Sequence, residues 1–228
     1  MLDARHGPLP PLLHVLTIVT GLIDAASYLT LGHVFVANMT GNIVFLGFAV
    51  ADSKDFSILS SSLATVMFLA GAFAGGRLAS RAAHHRGRFL AVVIYLEIAL
   101  TASALLACGL AGGGEHATYA LIVTLAAAMG LQNAAARRLG VPDLTTTVLT
   151  LTLTGLASES HLAGGTSPNV VRRLLATILM FLGAAVGALL IFHYGVAADL
   201  AVALALLIVD GIVCSRLVSS SAPWTIGH

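Results

Sequence analysis

Six runs of roughly 20 residues, apolar and almost free of charge, constrain this chain more than any other feature. They fall at about 12–31, 58–78, 89–110, 119–136, 174–193 and 196–217. At a rise of 1.5 Å per residue, a helix of about that length crosses a hydrocarbon core ~30 Å thick. Backbone groups in lipid must be satisfied within their own segment, which selects helices over open strands. Of 228 residues, 58% are hydrophobic and 9% charged, and the mean hydropathy is +0.97. A soluble domain of this length could not clothe its surface with so few charges. The expected fold class is an all-α integral membrane protein, one membrane domain over 1–228.

The formal net charge of +1 says nothing about nucleic acid, but no basic tract is long enough to bind it, so no nucleic-acid partner is expected. Cys108 and Cys214 lie inside apolar runs, where thiols are inert core residues, so neither a disulfide nor a metal is expected. The first run reads as a span and not a cleavable signal, because Asp24 interrupts it before any small-residue cleavage site. Asn38-Met39-Thr40 has the pattern of a glycosylation acceptor, but at membrane depth it is out of reach.

Two further stretches, 32–51 and 142–157, are apolar but broken by polar residues, proline or glycine. An internal repeat bears on them. "GLIDAA" at Gly21 returns as "GLQNAA" at Gly130, 109 residues on; "MTGN" at Met39 faces "LTLT" at Leu149, 110 on. Gly71 and Gly75 match Gly183 and Gly187 at 112, each pair following a Leu-Ala-Thr triplet, and Glu97 matches Asp210 at 113. Repeat one is expected over about 12–110 and repeat two over about 119–217.

Lysine and arginine near span ends favour the cytoplasm. If both ambiguous stretches crossed, eight parallel-repeat spans would leave six cations inside and five outside. If both dip in and return, six helices cross, the repeats are inverted, and every lysine and arginine except Lys54 lies inside. The second arrangement is expected: six transmembrane helices plus two re-entrant or broken segments, with both termini cytoplasmic. Asn38 to Asn42 would form the tip of a segment entering from outside, and Thr145 to Thr154 its inner counterpart. Broken backbone at that depth must be buried in protein or line a wet cavity.

"GLIDAASYLTLGHVFVANMTGN", with the later "GLQNAAARRLG" and "LTTTVLTLTLTG", resembles the YoaK-like family of bacterial integral membrane proteins, which carries a domain of unknown function. The resemblance runs from about Leu12 to Leu217 and implies six spans in a bacterial inner membrane; it implies no substrate. In the family the second motif usually reads Leu-Thr-Gly-Thr. This chain has Leu149-Thr150-Leu151-Thr152, and the sharpness of the second break is where it departs.

The candidate pathway residues follow from the cost of polarity in lipid. A carboxylate at a span centre costs roughly 2.5–3.5 kcal/mol even on lenient scales. Asp24 must therefore face the bundle, beside Ser27 and Tyr28 on one helical face. It is either a solute- or proton-binding group or a cap for free N–H groups at the re-entrant helix end. Its counterpart is the amide Asn133, next to Gln132. Asn38, Thr40, Gly41 and Asn42 offer amides and hydroxyls at the first break, suited to stripping water from a solute or to helix–helix bonding. Thr147, Thr150 and Thr152 do the same at the second, or bond their own helix. Glu97 and Asp210 are candidate proton-relay groups, to be neutralised by a proton or a bound cation. The two glycine pairs read as helix-packing positions, the loop arginines as topological anchors.

The expected function is a small-solute transporter or channel, with the membrane acids pointing to proton coupling. The rivals are an integral-membrane enzyme and a non-transporting scaffold. No nucleophile–base pair or histidine cluster supports an enzyme, so none is expected, and no cofactor. The expected partners are membrane lipid and an unidentified small solute; homo-oligomer formation stays open.

Overall fold

The computed structural model describes residues 5–82, 84–110, 114–144, 146–147, 149–166 and 169–226. Among them eight α-helices follow one another: α1 (Leu9–Thr30), α2 (Met39–Val50), α3 (Ile58–Ala82), α4 (Arg86–Leu110), α5 (Glu115–Leu139), α6 (Leu149–Ser158), α7 (Val170–Tyr194) and α8 (Val196–Leu217). All but α2 and α6 are long and apolar enough to cross a membrane. The long helices mostly outrun the apolar runs that foretold them. Helical hydrogen bonding continues through the terminal charges at which hydropathy falls away, as at Arg137 and Arg138 in the last turn of α5. Gly140, at φ 61°, then stops that helix in the left-handed conformation.

The short helices, of 12 and 10 residues, reach only about 18 Å and 15 Å at 1.5 Å per residue, half a bilayer core. Each follows an irregular stretch, and each stretch turns through a left-handed residue at a matching position, His33 (φ 55°) and Asp143 (φ 62°). The first break therefore lies just before Met39-Thr40-Gly41-Asn42, which is already the opening turn of α2. Thr150, Thr152 and Thr154 are likewise helical in α6, while Thr145 lies outside the described residues. The glycine that the second motif lacks is not needed. Leu151 projects outward, 75% exposed, whereas a side chain at Gly41 would meet the Phe35 ring.

Helix ends fix the path. Arg86, opening α4, hydrogen-bonds the Arg5 carbonyl before α1 and the Leu139 carbonyl ending α5. His85 and Arg88 reach Ser220 and Val218 beyond α8. The starts of α1 and α4 and the ends of α5 and α8 thus share one end of the bundle, so α3 returns to the end from which α1 departed. Arg172 and Arg173 at the start of α7 bind Pro142 and Asp143 just past α5. Both short helices therefore leave and rejoin one side. Of the lysines and arginines, Lys54 alone sits between α2 and α3; all others cluster at the end shared by Arg5 and Arg86.

Packing is unchanged when α1–α4 are exchanged for α5–α8. Helix α1 packs on α7 as α5 packs on α3; α8 lies on α1 as α4 lies on α5; α2 rests on α3 as α6 rests on α7; and α4 meets α8. The tightest crossings also correspond. A Cβ on Gly130 would overlap the Phe68 carbonyl and one on Gly71 the Ala127 carbonyl; Gly21 stands so against Met180, and Gly183 against Ile18. With no hydrophobic drive between helices in lipid, close backbone approach is what joins them. Helices α1 and α5 are the most buried, while α3, α7 and α8 turn apolar faces such as Phe73, Phe181 and Phe192 outward.

Leucine at Gly130 is expected to abolish or strongly destabilise the folded protein, beyond the ~1–3 kcal/mol of ordinary overpacking, because backbone must move. Leucine at Gly76, whose Cβ meets nothing, serves as the matched control and stays near wild type. Thermal unfolding in detergent, followed by size-exclusion chromatography, measures both.

Candidate functional site

The two breaks are closed by two different chemistries. Asp24 Oδ1 accepts from the backbone N–H of Ala37 (2.9 Å) and of Val36 (3.3 Å). Asp24 lies six residues before the end of α1, so the chain doubles back by about 9 Å to reach it. Asn42, fully buried, binds the other side of the same stretch: its Oδ1 accepts from Phe35 N–H (2.9 Å) and its Nδ2 donates to the Phe35 carbonyl. An amide with both a donor and an acceptor thus replaces the partner strand that Phe35 lacks. Asn38 caps α2, accepting weakly from Gly41 N–H at 3.5 Å.

In the second half, side-chain hydroxyls replace backbone as the anchored groups. Gln132 Nε2 donates to Thr146 Oγ1 (2.9 Å) and to Thr20 Oγ1 (2.8 Å), tying the second break to both α5 and α1. Thr147 Oγ1 donates to Asn133 Oδ1 at 2.6 Å, and Asn133 Nδ2 donates to the Met129 carbonyl. Arg173, buried at the start of α7, pairs with Asp143 (2.9 Å) and Glu159 (2.8 Å), bracketing α6 from both ends.

Where the short helices begin, a cavity of about 900 Å³ opens between the halves. Its polar lining comes from Asp24, Asn38, Thr40, Asn133, Thr147 and Thr150, with Arg137 at one side and Gly41 in the wall. Phe68 and Met180, corresponding residues of α3 and α7, close it with apolar surface. The structure thus gathers Asp24, Asn38, Thr40, Gly41, Asn133, Thr147 and Thr150 in one place. It does not bring the remaining candidates to that cavity. Ser27 bonds its own helix at the Asp24 carbonyl, and Tyr28 stacks on Phe35 with ring centroids 4.9 Å apart. Asn42 and Gln132 are spent on the breaks, and Thr152 is buried against α6's own surroundings near Thr17.

Glu97 on α4 and Asp210 on α8 are buried and interact electrostatically where those helices meet, apart from the cavity. Both Glu97 oxygens and Asp210 Oδ2 have no hydrogen-bond partner among the described residues, and neither has Thr101 Oγ1 one turn along. Two features escaped sequence reasoning. Arg137 looked like one more anchor, yet it lines the cavity. Asp199, in the first turn of α8, is fully buried with both oxygens unpartnered, against Gly187. A search for charges at membrane depth could have found Asp199, and the 109-residue repeat offset pairs Arg137, not Arg138, with the candidate Tyr28.

Six long apolar helices and two half-length helices define a multi-pass helical membrane protein. The chain belongs to the family described as protein of unknown function (DUF1275), whose model matches residues 12–213. It is 34% identical over 150 residues to the UPF0700 transmembrane protein YoaK of Bacillus subtilis (strain 168), an alignment covering 65% of each chain. No solved structure matches it.

Asp24→Leu leaves two buried N–H groups without acceptors and is expected to cost about 2–5 kcal/mol. Asp24→Asn keeps an oxygen where Oδ1 sits and should stay within about 1–2 kcal/mol of wild type. Equal loss of thermal stability in both variants would refute the anchoring role of that oxygen.

Proposed function

We propose that this protein is a small-solute transporter or channel of the bacterial inner membrane, built from two inverted repeats, with both termini in the cytoplasm. The observation that carries the reading is the cavity, because corresponding positions of both halves line it: Asp24 and Asn133, Thr40 and Thr150, Phe68 and Met180. Half-helices meeting at a solute site between inverted repeats are the recurrent architecture of alternating access. That argument is one of analogy in fold, so the chemistry of the site must bear it. Irregular backbone at membrane depth is tolerated where it lines a cavity, and both breaks here do so. The orientation rests on the clustering of arginine at one end. Glu97 and Asp210, remote from the cavity but facing each other across α4 and α8, suit proton or cation coupling to a repacking of those helices. An enzyme is the weaker reading: the cavity lining offers no serine, cysteine or histidine nucleophile or base.

Cysteine scanning tests this on a background with Cys108 and Cys214 replaced. Thr40→Cys should react with an impermeant thiol reagent applied outside, and Thr150→Cys with the same reagent applied to inside-out vesicles. Labelling of both from a single face would leave a one-sided pocket and remove the transport reading. Orientation has its own probe in Leu162, fully exposed after α6. Leu162→Cys should label only once the membrane is breached, whereas labelling in intact cells would reverse the topology.

A further inference from the structure

We infer that the cavity takes an amphoteric solute, its ammonium group bound by Asp24 and its anionic group by Arg137. The inference rests on the transporter reading and names the solute class for that site. It comes from the places where the two halves differ. At two corresponding positions the halves carry different charge: Asp24 corresponds to Asn133, and Tyr28, at the same offset of 109 residues, to Arg137. The first difference gives the cavity lining an acid and the second gives it a base.

Both charged groups have capacity to spare. Asp24 is only 6% exposed, and its two backbone donors both go to Oδ1. Oδ2 is the oxygen left for the cavity that the residue lines. A nearly buried carboxylate with one oxygen unspent is a strong acceptor for a charged donor. Tyr28 makes no such contribution, since its ring is held in the stack with Phe35 and His33. Arg137 forms no side-chain ion pair or hydrogen bond with any described residue, whereas Arg86 and Arg173 bind loops. Asp24 and Arg137 do not pair with each other across the cavity they share.

Val44, Phe45, Phe68 and Met180 supply apolar wall in the same cavity. A molecule with a cationic end, a hydrocarbon body and an anionic end satisfies all three surfaces and enters with no net charge.

The test is binding to the purified protein in nanodiscs, by calorimetry. The probes are L-leucine and the ω-amino acids of four, six and eight carbons, each beside the analogue lacking its ammonium group and the analogue lacking its carboxylate. At least one zwitterion should bind saturably, with each single-charge analogue about tenfold weaker or more, the size of one lost charge-assisted contact. Asp24→Asn should erase the advantage over the carboxylate analogue alone, and Arg137→Gln the advantage over the amine analogue alone. Saturable binding of no zwitterion, or a carboxylate analogue binding as tightly as its parent, overturns the inference; the latter would mean an anion site with a protonated Asp24. The cysteine labels at positions 40 and 150 report passage separately. Labels arriving from both faces without zwitterion binding would sink the charge assignment and leave transport standing. Zwitterion binding with labels from one face only would keep the site and sink transport.

Discussion

A backbone that stops being helical inside a membrane has no water to turn to, and each N–H and C=O it frees must find protein. The first break meets that demand with two side chains, and the second is anchored through its hydroxyls instead. In the first half one carboxylate oxygen of Asp24 takes two N–H groups and the Asn42 amide takes a third with its neighbouring carbonyl. In the second, Gln132 and Asn133 hold the hydroxyls of Thr146 and Thr147. These bonds seat the openings of α2 and α6 at the depth of Asp24 and Asn133, and the cavity is the space between the two openings. Gln132 also reaches Thr20 on α1, so the second break is braced against the first half.

The second support is close packing without side chains. Gly21 with Gly183, and Gly71 with Gly130, let pairs of long helices touch backbone to backbone. Small residues at those crossings serve where apolar burial supplies no drive, since lipid is as apolar as leucine. The same crossings place Phe68 and Met180 at corresponding points of the cavity wall. Packing and cavity are thereby linked: the helices that must approach most closely are those that enclose the cavity.

Buried acids set a further condition. Glu97, Asp199 and Asp210 hold unpartnered oxygens among the described residues in the long helices, whose arginines are confined to the terminal turns. Such groups are expensive in an apolar setting and are retained where they act. Glu97 and Asp210 lie where α4 and α8 pack together. Asp199 has no acidic counterpart in the first half and breaks the symmetry at the α1–α7–α8 junction, as Asp24 and Arg137 break it at the cavity.

Length and hydropathy alone determined the six spans, because crossing a hydrocarbon core requires a run of apolar residues that nothing else in a chain of this size requires. The glycine pairs as close-packing positions were also legible, and so was the need of Asp24 to face the bundle, being matters of spacing and of cost. Tertiary structure decided which polar residues share a space. Ser27 and Tyr28 stand on the face of α1 that carries Asp24, yet one bonds its own helix and the other is drawn into an aromatic stack by the path of residues 32–38. Arg137 and Arg138 are neighbours in sequence, and only the rotation of α5 about its axis sends the first to the cavity. Periodicity fixes which residues lie together along one helix. Where that face points depends on how the other helices pack against it, and that is set by contacts far apart in the chain.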